Sequence, residues 1–144
     1  MQGLSYPATV TPEEKGAYTV TFSDLPEAIT SGVDLPDALE QAADLLQEAL
    51  AGRIVRKDHI PTPSRLKRGQ RLVQVALYLA PKLALYLAMR EHGIDNSELA
   101  RRLRSSETAV RRMLNPKHDT RPETLQAALE ALGKRVLVAV ENAA

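Results

Sequence analysis

Glu107, Thr108, Arg111 and Arg112 fall on one side of a short amphipathic run, and side chains of these types on one helix face can hydrogen-bond base edges in the major groove of duplex DNA. They belong to residues 96–115, Asn-Ser-Glu-Leu-Ala-Arg-Arg-Leu-Arg-Ser-Ser-Glu-Thr-Ala-Val-Arg-Arg-Met-Leu-Asn, which carry the spacing of a helix-turn-helix. Ser106 is the expected cap of the second helix, and Asp95 with Glu98 makes an approximate capping box at the start of the first. Leu99, Leu103, Val110 and Met113 supply the facing apolar stripes, with Ala100 as the small residue where the backbones meet. Arg101, Arg102 and Lys117 flank the reader as phosphate ligands. The turn carries Arg104 and Ser105 where glycine and an apolar residue are common, so a left-handed residue there would be an arginine. The blander alternative is a pair of amphipathic helices in an all-α bundle with arginines on the outside.

Other chemistry finds little support. The chain has no cysteine, which removes disulfides, thiolate metal sites and a cysteine nucleophile. His59, His92 and His118 never stand four apart, the spacing that puts two imidazoles on one helix face. There is no glycine-rich phosphate loop and no Gly-x-Ser-x-Gly turn. No metal and no cofactor are expected.

The elements that would position the reader follow from periodicity. Leu4, Tyr6, Ala8 and Val10 alternate with polar residues, as do Tyr18, Val20 and Phe22, and Pro12 to Gly16 would turn these two strands into a hairpin. Ala28-Ile29-Thr30 before Gly32 is a brief third strand. Asp34 then caps a helix with Pro36 in its first turn and a stripe of Leu35, Leu39, Ala42, Leu45, Leu46, Ala49 and Leu50, ended by Gly52. Arg53 to Arg71 reads as a basic loop, seven Lys/Arg against one Asp, and Leu72 to Ala76 as a fourth strand. Pro81 opens a helix that Gly93 stops, and Thr120 with Glu123 resembles a capping box for a closing helix ended by Gly133. Arg135 to Val140 is a β-branched run expected to form a short strand, paired with its copy in a second chain.

The fold class is therefore α+β: a β-β-β-α-β domain over residues 1–78, then an all-α helix-turn-helix domain with a short C-terminal strand over 79–144. Charge follows a similar division, with residues 1–50 at net −8 and residues 51–144 at net +9 inside a total of +1. A basic part suits a phosphate backbone and an acidic part a basic protein, so two different partners are expected. The apolar stretch Leu72 to Met89 contains Gln74, Pro81 and Lys82 and is no membrane span. Nothing resembles a secretory signal, and a cytoplasmic location is expected.

Four motifs, taken in order, resemble those of HicB-type antitoxins, partners of HicA-type ribonuclease toxins. They are Phe22-Ser-Asp-Leu-Pro26, Thr30-Ser-Gly-Val leading to Leu35-x-x-Ala38-Leu39, Lys82-Leu-Ala-Leu-Tyr-Leu-Ala-Met-Arg90, and Leu99-Ala100 through Met113. Glu27-Ala28 departs from the pattern, since the family often has glycine after the proline. The resemblance implies that the first domain looks like a truncated ribonuclease H fold that covers the active site of an mRNA-cleaving toxin. It implies that the second domain binds operator double-stranded DNA as a homodimer or higher homo-oligomer and represses the operon. Asp24, Glu27, Asp37, Glu40, Asp44 and Glu48 are the acidic candidates for the toxin surface. Active ribonuclease H members hold two metals with clustered carboxylates, for which Asp24, Glu40 and Asp44 are the convenient candidates. Glu40 and Asp44 stand four apart on a helix, more often a solvated face than a metal site, so no catalytic residue and no enzyme activity are expected. The competing readings are a stand-alone repressor with a ligand-sensing or dimerising first domain, and a metal-dependent nuclease.

Overall fold

Period-two alternation near the N-terminus becomes strand β1 (Ser5–Pro12), which a single 3-10 turn over Glu14–Gly16 returns to β2 (Tyr18–Thr21). β3 (Ile29–Gly32) follows, then α1 (Leu35–Arg56) and β4 (Gln70–Gln74). The strands form one antiparallel sheet in the order β3-β2-β1-β4, with Thr9 opposite Thr21, Tyr18 opposite Gly32 and Tyr6 opposite Val73. The computed structural model describes residues 3–143, which divide between Ala80 and Pro81 into two units.

In the first unit Ala38, Ala42, Leu46, Leu50 and Ile54 are the buried positions of α1, four residues apart, so that one helix stripe lies on the sheet. Tyr6, Ala8, Val20 and Val73 are buried with them. The start of α1 is fixed on both sides: the Asp34 carboxylate accepts from the Asp37 N–H at 2.9 Å, and the Asp37 carboxylate accepts from the Val33 N–H at 2.9 Å. Gly32 explains the motif Thr30-Ser-Gly-Val in physical terms, because a Cβ there would stand 2.3 Å from the Ala38 backbone nitrogen. Only glycine lets the helix begin this close to the strand.

Several sequence expectations change, and the fourth strand covers Gln70–Gln74 rather than Leu72–Ala76. α1 does not end at Gly52 but continues to Arg56, where Lys57 takes the left-handed cap with φ 59°. An internal glycine costs a helix only about 1 kcal/mol, and burying Ile54 two residues further on offsets that. Arg135 to Val140 forms no strand: the segment has no partner strand among the described residues, and Val138 and Val140 are 78% and 95% exposed. A β-branched run supplies propensity, but the ladder bonds of a strand need a neighbour.

The second unit comprises α2 (Ala80–His92, beginning one residue earlier), α3 (Asn96–Leu103), α4 (Glu107–Leu114) and α5 (Pro122–Ala131). Its core gathers Leu85, Ala88 and Met89 of α2 with Leu99, Ala100, Val110, Met113, Leu125, Ala128 and Leu129.

Candidate nucleic-acid interface and the acidic helix face

Two caps set the frame of the α3–α4 pair. The Asp95 carboxylate accepts from the Glu98 N–H at 2.9 Å, and Ser106 Oγ accepts from the Ala109 N–H at 3.1 Å. Between them Arg104 ends α3 with φ 52° and ψ 46°, so the arginine does carry the left-handed turn conformation. Leu99, Ala100, Val110 and Met113 are buried, which turns the opposite side of α4 outward. Glu107, Thr108, Arg111 and Arg112 are all exposed there. An Arg111 guanidinium N–H donates to Thr108 Oγ1 at 3.0 Å, joining two of the four into one polar surface.

The flanking cations differ in state. Arg101 and Arg102 both pair with Glu98, Arg102 at 3.0 Å, whereas Lys117 is exposed beside the end of α4. Glu98 thus orients both arginines from one helix turn away. Ser106 is spent on its cap and lies at the edge of the surface rather than at its centre.

The last turn of α4 is held by groups that the sequence placed elsewhere. Thr120, expected to cap α5, instead lies with its Oγ1 2.8 Å from Lys82 Nζ and 3.3 Å from the Arg112 carbonyl, to which it donates. Arg121 takes the cap position of α5 without a side-chain bond. The signal available in the sequence was Lys82 itself, a cation set in an apolar run whose neighbours Leu83, Leu85 and Tyr86 are buried.

In the first unit the six acidic candidates separate into two groups. Asp24 accepts from the Ser64 N–H and Oγ, both at 3.0 Å, and so ties the 57–69 segment to the loop before β3. Glu27 makes a two-point ion pair with Arg53, both contacts 2.7 Å, and this hydrogen-bonded guanidinium holds its carboxyl down at about 2. Arg53 also donates to the His59 carbonyl at 2.9 Å. Tyr6 donates to the Pro61 carbonyl at 2.8 Å, and burial together with the Asp24 charge pushes its phenol above the usual range. Asp37 is engaged at the helix cap. Glu40, Asp44 and Glu48 remain exposed at four-residue intervals, a stripe along about 12 Å of α1. Asp24, Glu40 and Asp44 therefore serve different places: the first is bound to Ser64, the other two face solvent.

A family model described as HicB-like antitoxin of bacterial toxin–antitoxin systems matches residues 5–84. The chain belongs to the HicB-like antitoxin family. Antitoxin HicB of Escherichia coli strain K12 is 36% identical over 133 residues, covering 92% of this chain and 96% of that protein. Antitoxin HicB 1 of Photorhabdus laumondii is 32% identical over 141 residues, covering 98% of this chain and 90% of its own. The crystal structure of the Burkholderia pseudomallei antitoxin HicB overlaps 90% of this chain and 97% of its own, at 17% identity with a TM-score of 0.46. The full-length relatives extend the HicB-like match through the α3–α4 surface, beyond the part that the family model covers. A HicB-like antitoxin has a toxin as its partner. Among the described residues, no helix is long and apolar enough to cross a membrane.

Proposed function

We propose that this HicB-like chain neutralises a HicA-type mRNA-cleaving ribonuclease through its first unit and represses its own operon by placing α4 in the major groove of operator DNA. The observation that carries the second half is the outward face of α4, where Glu107, Thr108, Arg111 and Arg112 stand together on a helix whose start is capped by Ser106. Arg101, Arg102 and Lys117 then meet phosphates on either side. The first half rests on family membership and on the Glu40, Asp44 and Glu48 stripe. A nuclease that holds RNA needs positive charge, and three solvent-exposed acidic side chains in one stripe complement it. Inhibition is occlusion, with no chemistry by the antitoxin, and both partners are met in the cytoplasm.

Operator reading requires two copies, because half-sites one helical turn apart match a twofold assembly. The exposed Arg135 to Val140 run is the surface for pairing with its copy, and loss of the dimer in light scattering after removal of residues 134–144 is the expected result. The test of the whole reading is co-purification with the product of the adjacent gene, together with binding to the DNA upstream of both. A complex in which RNA cleavage stops, and a preference for that DNA over random duplex, are expected. A chain that captures no neighbouring product and treats both duplexes alike would overturn it.

A further inference from the structure

Lys82 is the single buried charged side chain among the described residues, 2% exposed, and no carboxylate lies within ion-pair distance of it. Its ammonium sits 3.1 Å from the Arg112 carbonyl, 3.2 Å from the Met113 carbonyl and 2.8 Å from Thr120 Oγ1. An ammonium has three N–H donors, and three acceptors surround it. Two of them are last-turn carbonyls of α4 at the negative end of its dipole, and the Arg112 carbonyl also accepts from the capping Asn115 N–H at 3.2 Å. The third belongs to the 115–121 loop, where His118 Nδ1 also lies 2.9 Å from the same hydroxyl. Burial lowers the Lys82 pKa, and only the more distant Asp119 charge works against that.

A buried cation without a counter-ion is a costly way to hold a helix, since an apolar residue of similar length avoids the desolvation penalty. What it adds is geometry. Leucine or methionine would let α4 slide or roll on α2, whereas three directed bonds from one nitrogen fix the height and pitch of its C-terminal turn. We propose that Lys82 is the positioning residue of the reading helix: it holds the α4 end and the 115–121 loop so that Thr108, Arg111 and Arg112 meet base edges in one register. This rests on the DNA-reading function proposed above. Lys82 touches no nucleic acid itself, being buried, and Thr120 and the two carbonyls are the groups through which it acts.

The test uses the full chain carrying Lys82→Met or Lys82→Gln. For Lys82→Met the expected result is a loss of about tenfold in affinity for the upstream DNA, as for one misplaced base contact. Affinity for random duplex and its salt dependence should stay unchanged, as should inhibition of the toxin. Lys82→Gln, which keeps a donor, should recover part of the loss. Hydrogen exchange read on the same proteins without DNA should show faster exchange confined to α4 and 115–121, with α3 and α5 as protected as before. Unchanged exchange in α4 would overturn the proposal, and so would an equal loss on both duplexes with loosening of the whole unit. If Lys82→Met fails to fold, Lys82→Gln carries the same comparison. Should the parent chain itself show no preference for the upstream DNA while exchange in α4 still responds, the DNA-reading function falls and the positioning of α4 stands.

Discussion

Glu27 is ion-paired with Arg53 across 26 positions of sequence. The pair joins the loop before β3 to the end of α1, and through the His59 carbonyl to the segment beyond it. Its carboxyl titrates at about 2 when folded, against roughly 4.3 in an unfolded chain. Because the folded value is the lower one, the stabilisation is complete above the unfolded pKa and disappears as pH falls from about 4.3 towards 2. Glu27 is 43% exposed and solvent screens the pair, so Glu27→Gln should cost only about 1 kcal/mol at pH 7. Denaturant melts of parent and variant should converge near pH 2. Arg111 belongs to the same scale. Arg111→Ala should weaken upstream-DNA binding by about 1 to 3 kcal/mol if it pairs with a guanine edge, read as fluorescence anisotropy against random duplex. An equal loss on both duplexes would make it a phosphate contact.

Element by element, what was legible in the sequence is what repeats. β1 and β2 were readable from strict alternation, α1 from an apolar stripe of which Ala42, Leu46 and Leu50 are buried, and both reader helices from capping residues whose bonds are present at Asp95 and Ser106. What was not legible depends on partners far along the chain. Gly52 looked like a stop because nothing local announced that Ile54 would be buried. Thr120 looked like a cap because Lys82, 38 positions away, is what claims its hydroxyl. The run from Arg135 to Val140 had the composition of a strand and lacked a ladder to join. Two substitutions test the local geometry. Arg104→Gly removes a left-handed arginine and should stabilise the second unit by about 1 kcal/mol in thermal unfolding. Gly32→Ala drives a Cβ into the Ala38 backbone, and should cost the first unit about 1 to 3 kcal/mol.

For the whole molecule, the fold revises how charge is shared. Residues 1–50 and 51–144 differ steeply, but the structure puts the basic 53–71 stretch in the same unit as the acidic face of α1. Counted by unit, residues 1–80 hold eight Lys/Arg and ten Asp/Glu, and residues 81–144 hold eleven and eight, so the nets are −2 and +3. Attraction to a basic toxin therefore depends on the local stripe of Glu40, Asp44 and Glu48 rather than on an acidic domain as a whole, and salt should weaken it accordingly. Attraction to DNA likewise depends on the arginines around α4 more than on the unit's total. The most direct measurement is cleavage of RNA by the adjacent gene's product, titrated with this chain. The account predicts that cleavage stops as the chain becomes equimolar, and that reversing Glu40, Asp44 and Glu48 to lysine restores cleavage while upstream-DNA binding persists. Cleavage that continues undiminished in the presence of excess folded chain would contradict it.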